Sequence, residues 1–277
     1  MEKVFKKQKE ADMDDNIFIE KQIDLMDNII KTHGEIKNIH LSLEKLYPIT
    51  VINKGYFFVF DLNETGGRYE YKTKAVTSMS VSGEFLAAFP LDFYEMKPSA
   101  VISNNILDNQ INYIFIFHEF VHCFQMENGE FDIRKDLSIE KQEMAKNNYS
   151  WELNFPFPYN DEYFIKNTAE LSNYFLNGDY DSVVNNYKNM KTYLHEIEFE
   201  YMIWQEWKEG FARYIENLIR KELGLQINAD ILKQPFKRAH FYEIGSKYIE
   251  MLIKNNKELS ANIIKLFNKI KMEEKHE

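Results

Sequence analysis

One cysteine in 277 residues has no partner for an intramolecular disulfide, so no oxidised framework holds this chain together. Excess positive charge is missing too. Lys and Arg number 34 against 44 Asp and Glu, a formal net charge of −10, and the sequence pI is near 5.3. That balance argues against nucleic acid as the main partner and against an anionic membrane surface. The short basic stretch Lys3–Lys9 is the exception and reads as a frayed terminus. No run approaches the roughly twenty apolar residues of a transmembrane helix. The opening residues, MEKVFKKQKE, contain no apolar core of a secretion signal. The expectation is a soluble, cytoplasmic chain without a membrane span. Internal repeats and low-complexity linkers are also lacking.

Core-forming side chains are plentiful. The chain is 44% hydrophobic and 15% aromatic, with 22 Phe and 17 Tyr, which is the composition of a globular protein with a large core. Its length suits one sizeable domain or two small ones, and the absence of a linker favours a single unit over 1–277. Residues 1–48 read as N-terminal helices, because Ile17, Ile19, Ile23, Leu25, Met26, Ile29 and Ile30 recur at helical spacing before Pro48. Residues 49–127 read as a small antiparallel sheet followed by a helix. Stretches 49–53, 56–62 and 68–73 are β-branched and aromatic, Asn63-Glu-Thr-Gly-Gly is turn chemistry, and 85–89 is a further strand candidate. Residues 128–200 form a helical insertion, with helices expected over 137–146, 161–176 and 181–201 and an aromatic, proline-bearing loop at 151–159. Residues 201–277 read as a C-terminal helical part. The fold class is therefore α+β.

The most informative segment is His118-Glu119-Phe120-Val121-His122, the HExxH pattern. On a helix, residues four apart share a face, so both imidazoles reach one ion. Glu119 points to the side, placed to take a proton from a metal-activated water rather than to ligate. The run Ile111–Phe117 before it is almost wholly apolar and lacks Gly and Pro, which predicts a buried helix, with Asp108 as its N-cap. The plainer alternative is a helix with two hydrogen-bonded core histidines.

A catalytic zinc needs a third protein ligand. The continuation HExxHxxGxxH is absent, and Cys123 points about 100° away from His122 on the helix. The best third ligand lies within Trp204–Glu216. Glu209 is followed by Gly210 and Ala212, which let another helix approach closely, amid Trp204, Trp207, Phe211, Tyr214 and Ile215. Glu206, one turn earlier, is the runner-up.

HEFVH, then EGFARYIE, then FYEIGSKYIEML resembles the gluzincin zinc metallopeptidases, most of all the broad peptidase MA-like group with its HExxH, E-G-x-A-x-Y and Y-x-x-G segments in that order. The resemblance covers about 80–127 and 200–255. It implies a zincin-like fold. It further implies that His118, His122 and Glu209 ligate one zinc, that Glu119 is the general base, and that Tyr242 stabilises the transition state, with His240 as the other candidate donor. It also implies a sheet edge that pairs with an extended peptide, here 85–89 or 56–62. Two departures stand out. The interval between His122 and Glu209 is long, and Arg213 occupies the place where thermolysin-like members carry an aspartate that orients a zinc histidine, so Glu216 or a backbone carbonyl would have to serve.

The function expected from this reading is zinc-dependent hydrolysis of peptide bonds in a peptide or protein substrate. One alternative is a zinc-holding binding or regulatory module without turnover. Another is a helical interaction protein with a chance HExxH. Neither oligomeric state nor cleavage preference is written in the sequence.

Overall fold

The computed structural model describes residues 2–79, 83–229 and 233–272. By its contacts the chain divides into two compact units, Met1–Cys123 and Phe124–Glu277. The dividing line falls inside a single continuous helix, α2 (Asn112–Gln125).

The first unit begins with α1 (Glu2–Ile36), one long helix where one or two were expected. Its periodic apolar positions do face inward: Met26, Ile29 and Ile36 are fully buried. A five-stranded sheet follows, made of β1 (Ile49–Asn53), β2 (Tyr56–Leu62), β3 (Tyr69–Val76), β4 (Leu86–Leu91) and β5 (Lys97–Ser103), in the order β3-β2-β1-β5-β4. β1 runs parallel to β5 and every other pairing is antiparallel. The sheet is therefore mixed, not antiparallel. The cause is β5, a strand that the sequence pattern does not announce. Its opening Lys97 and Pro98 disguise it, yet it inserts beside β1 after a tight turn in which Glu95 and Met96 take positive φ.

Register decides what each face carries. Ile52 pairs with Phe57 and Thr50 with Val59, and on this face Ile52, Phe57, Val59, Leu91 and Val101 form one cluster. On the other face Val51 pairs with Phe58 and Ile49 with Phe60. There Phe18 of α1 meets Phe58 edge-on at 4.9 Å. Both faces are buried, which explains why β1 and β2 read as unbroken apolar runs. β2 lies between β1 and β3, so residues 56–62 are not an edge; β4, which contains most of 85–89, is one.

The second unit is helical. It holds α3 (Phe131–Asp136), α4 (Ser138–Ala145), α5 (Trp151–Asn154), α6 (Glu162–Asn177), α7 (Tyr180–Tyr193), α8 (Glu196–Glu222), α9 (His240–Asn255) and α10 (Ile263–Ile270). The helix expected over 181–201 is two helices. The chain is extended at Leu194 and His195, and Glu198 Oε2 accepts the His195 backbone N–H at 2.9 Å to start α8. The loop after α5 packs against the helices: Phe157 lies 4.9 Å from Phe164 and 5.2 Å from Phe241, ring to ring. α8 is the spine of this unit. Trp204, Trp207, Phe211 and Ile215 are fully buried along it, and the Trp207 indole donates to the Ile263 carbonyl at 2.9 Å.

Candidate metal centre

α2 is a core helix with a polar exception. Ile116, Phe117, Phe120, Val121 and Cys123 are buried, and so are His118 and His122. Asp108 is not its N-cap. That residue closes a preceding 3₁₀ turn, pairs with Lys21 at 2.8 Å, and leaves the helix to begin at Asn112. Spacing of four residues sets the two imidazoles side by side, with ring centroids 4.9 Å apart. Glu119, half-buried, follows His118 directly.

Glu209 sits on α8. Ligand atoms of His118, His122 and Glu209 all lie within 4.8 Å of one another. Around one tetrahedral ion with bonds of about 2.0–2.2 Å, ligand atoms stand about 3.4 Å apart, a separation that lies inside that limit. Two imidazoles and one carboxylate fit a divalent metal by chemistry as well as by distance, and three protein donors leave a tetrahedral ion one further position. Cys123, buried on another face of α2, is not in this group.

Several devices fix α8 at this point. Gly210 faces Gly245 of α9 so closely that a Cβ on Gly210 would lie 2.7 Å from Gly245 backbone carbon. The Gly245 of the Y-x-x-G segment thus serves the helix crossing. The Gln125 amide, at the end of α2, donates to the carbonyls of Trp207 (3.3 Å) and Lys208 (3.2 Å). Lys208, adjacent to Glu209, is held in a buried ion network. Its ammonium meets Glu130 at 2.9 Å and Glu152 at 3.1 Å, while Arg134 meets Glu152 at 2.9 Å and Glu140 at 2.9 Å. Burial alone would push the Glu152 pKa up, but Lys208 and Arg134 outweigh it and hold the carboxyl below its usual range. The sequence reading missed this network, because its members scatter from 130 to 208 and each looks like an ordinary surface charge.

Glu206 is engaged elsewhere. It is buried, accepts the Tyr187 hydroxyl at 2.7 Å, and its pKa is pushed up to about 8 by burial. It is not in the metal-binding group. The Glu216 carboxylate accepts from Arg220 at 2.8 Å and from the Asn228 amide at 2.8 Å, and lies 3.4 Å from Arg213. His240 is buried, and its Nδ1 accepts the Lys237 backbone N–H at 3.1 Å. Tyr242 is half-buried, with the guanidinium groups of Arg238 and Arg213 over its ring at 5.3 and 5.9 Å. Arg238 does not stand out in the sequence; only its position two residues before His240 marks it.

Compared with models of known protein families, with curated proteins and with solved structures, the chain matches none of them. What stands is an α+β chain with a mixed five-stranded sheet, a helical second half and a His-His-Glu group able to hold a metal. Among the described residues, no helix is long and apolar enough to cross a membrane.

Proposed function

We propose that this chain is a zinc-dependent peptidase with a zincin-like fold of the gluzincin kind. The observation that carries the proposal is the convergence of His118, His122 and Glu209 with Glu119 directly beside the first histidine. A closed structural site would use four ligands and would have no use for a flanking carboxylate.

Zinc, when bound, supplies a Lewis acid that polarises a carbonyl and acidifies water. The rest falls to this chain's residues. His118 and His122, buried one turn apart on α2, supply imidazole nitrogens as ligands. Glu119 takes a proton from the attacking water as its oxygen bonds to the scissile carbonyl carbon. It then returns that proton to the amide nitrogen as the C–N bond breaks. The Tyr242 hydroxyl donates a hydrogen bond to the developing oxyanion. β4, as an edge strand of the sheet, offers backbone groups to an extended peptide.

The test is paired. The metal-replete chain should hold about one zinc, and it should cleave components of a mixed peptide pool. Glu119→Gln should keep the zinc and lose hydrolysis by about 10²–10⁴-fold or more. A chain without zinc after replete preparation, or a Gln variant as active as the parent, would remove the proposal.

A further inference from the structure

Among the described residues, Arg238 lacks a short carboxylate partner. Its Nη1 lies 3.6 Å from Glu209 Oε1 and donates to Gln205 Oε1 at 3.3 Å, with the Tyr242 ring 5.3 Å from the guanidinium carbon. The neighbouring cations of the same unit are better served. Arg134 binds Glu140 through two nitrogens at 2.9–3.2 Å, Lys208 meets Glu130 at 2.9 Å, and Arg220 meets Glu216 at 2.8 Å. The carboxylate that does stand near Arg238 is the candidate metal ligand. An ion at His118, His122 and Glu209 would draw on that charge and leave the guanidinium fork without an anion.

The Arg238 side chain is 31% exposed, within reach of a ligand.

We propose that Arg238 binds a carboxylate carried by the substrate. The inference rests on the reading of Glu209 as a metal ligand and of the substrate as a peptide. A planar guanidinium matches a carboxylate through two parallel N–H···O contacts, and this one already stands against a carboxylate in Glu209. Gln205 accepts from it at 3.3 Å, and the Tyr242 ring lies 5.3 Å from its guanidinium carbon. In a peptide the carboxylate comes from a free C-terminus or from an acidic side chain.

The experiment measures binding without turnover. The full chain carrying Glu119→Gln, loaded with zinc, is titrated calorimetrically with acetyl-Gly-Phe-Leu, with its C-terminal amide, and with acetyl-Gly-Glu-Leu-amide. One of the two carboxylate-bearing probes should bind at least about tenfold more tightly than the amide that has none, and which one it is identifies the source. Adding Arg238→Gln should bring all three to the amide's affinity while zinc content and melting temperature hold. Should that variant melt early, Arg238→Lys keeps the charge without the fork and should still lose most of the preference. Equal affinity for all three probes with Arg238 intact, or no measurable binding of any, overturns the proposal. So does an Arg238→Gln variant that weakens all three alike. A preference that persists while the zinc-loaded chain with Glu119 intact cleaves no peptide would overturn only the peptidase reading.

Discussion

Gly210 and Gly245 meet backbone to backbone where α8 crosses α9. A Cβ on the first would lie 2.7 Å from the second, and a Cβ on the second would overlap the Glu206 carbonyl oxygen. No side chain can relieve that overlap, because the atoms in the way are main chain.

Gly245→Ala should therefore drive the helices apart and destabilise the chain by about 1–3 kcal/mol or more, the cost typical of forcing an extra carbon into a packed contact. Gly210→Ala should do the same and also weaken zinc binding, since Glu209 is the adjacent residue. Gly34 in α1 is different: a Cβ there would meet no atom within 4 Å. Gly34→Ala should therefore raise the melting temperature slightly, by way of helix propensity. Thermal melts of the three variants check the ranking. Equal melts for Gly34 and Gly245 variants would contradict the crossing.

Glu209→Ala and Glu206→Gln should separate the two acidic residues one turn apart on α8. The first removes a member of the metal-binding group and should lower zinc affinity by orders of magnitude. The second leaves that group intact and should hold its zinc. A competition titration against a coloured chelator reads both, and the reverse order would transfer the ligand role to Glu206.

Glu206 should also leave its mark on stability against pH. Its carboxyl titrates near the ordinary value of 4.5 when unfolded and is pushed up to about 8 when folded. Between those values the unfolded chain has released the proton and the folded chain keeps it. Stability is then fully present below about pH 4.5 and falls as pH rises to about 8, by at most about 1.4 kcal/mol per pH unit. Tyr187 and Tyr248 are the titratable groups acting with it, and neither supplies a positive charge. Urea unfolding of the zinc-free chain at several pH values should show that decline, and Glu206→Gln should flatten it. An unchanged slope in the variant would assign the pH dependence to another group.

Tyr242→Phe keeps the ring that lies beneath Arg213 and Arg238 and deletes only the hydroxyl. The zinc and the melting temperature should be retained. On the reading that the hydroxyl serves the oxyanion, kcat should fall with a loss of about 2–4 kcal/mol of transition-state stabilisation, and KM should change less. A normal kcat here, with an inactive His240 variant that still holds zinc, would give the role to His240.

Local chemistry was legible where a short-range rule governs it. The four-residue spacing of His118 and His122 requires one helix face, and small Gly210 beside large aromatics predicts the close helix approach that is found. Strands β1 to β3 announced themselves through β-branched and aromatic residues. Long-range pairing was not legible. Nothing within Lys97–Ser103 says that it will lie parallel to Ile49–Asn53, and that one insertion turns the sheet mixed. The break at Leu194 and His195 was hidden because the sequence on both sides favours helix. Arg238, Lys208 and Glu130 gain their meaning from partners tens of residues away, which a one-dimensional scan does not pair.

The Gln125 amide has a consequence for how the metal is carried. It ties the end of α2 to the Trp207 and Lys208 carbonyls of α8 with ordinary hydrogen bonds, one residue short of Glu209. Neither of these bonds uses a metal ligand, so on the proposed reading the α8 backbone beside Glu209 should be held with or without the ion. On the proposed zinc-dependent reading, the metal is then a replaceable passenger: a chelator should empty the protein without melting it, and the supply of free metal should set how much of the chain is loaded.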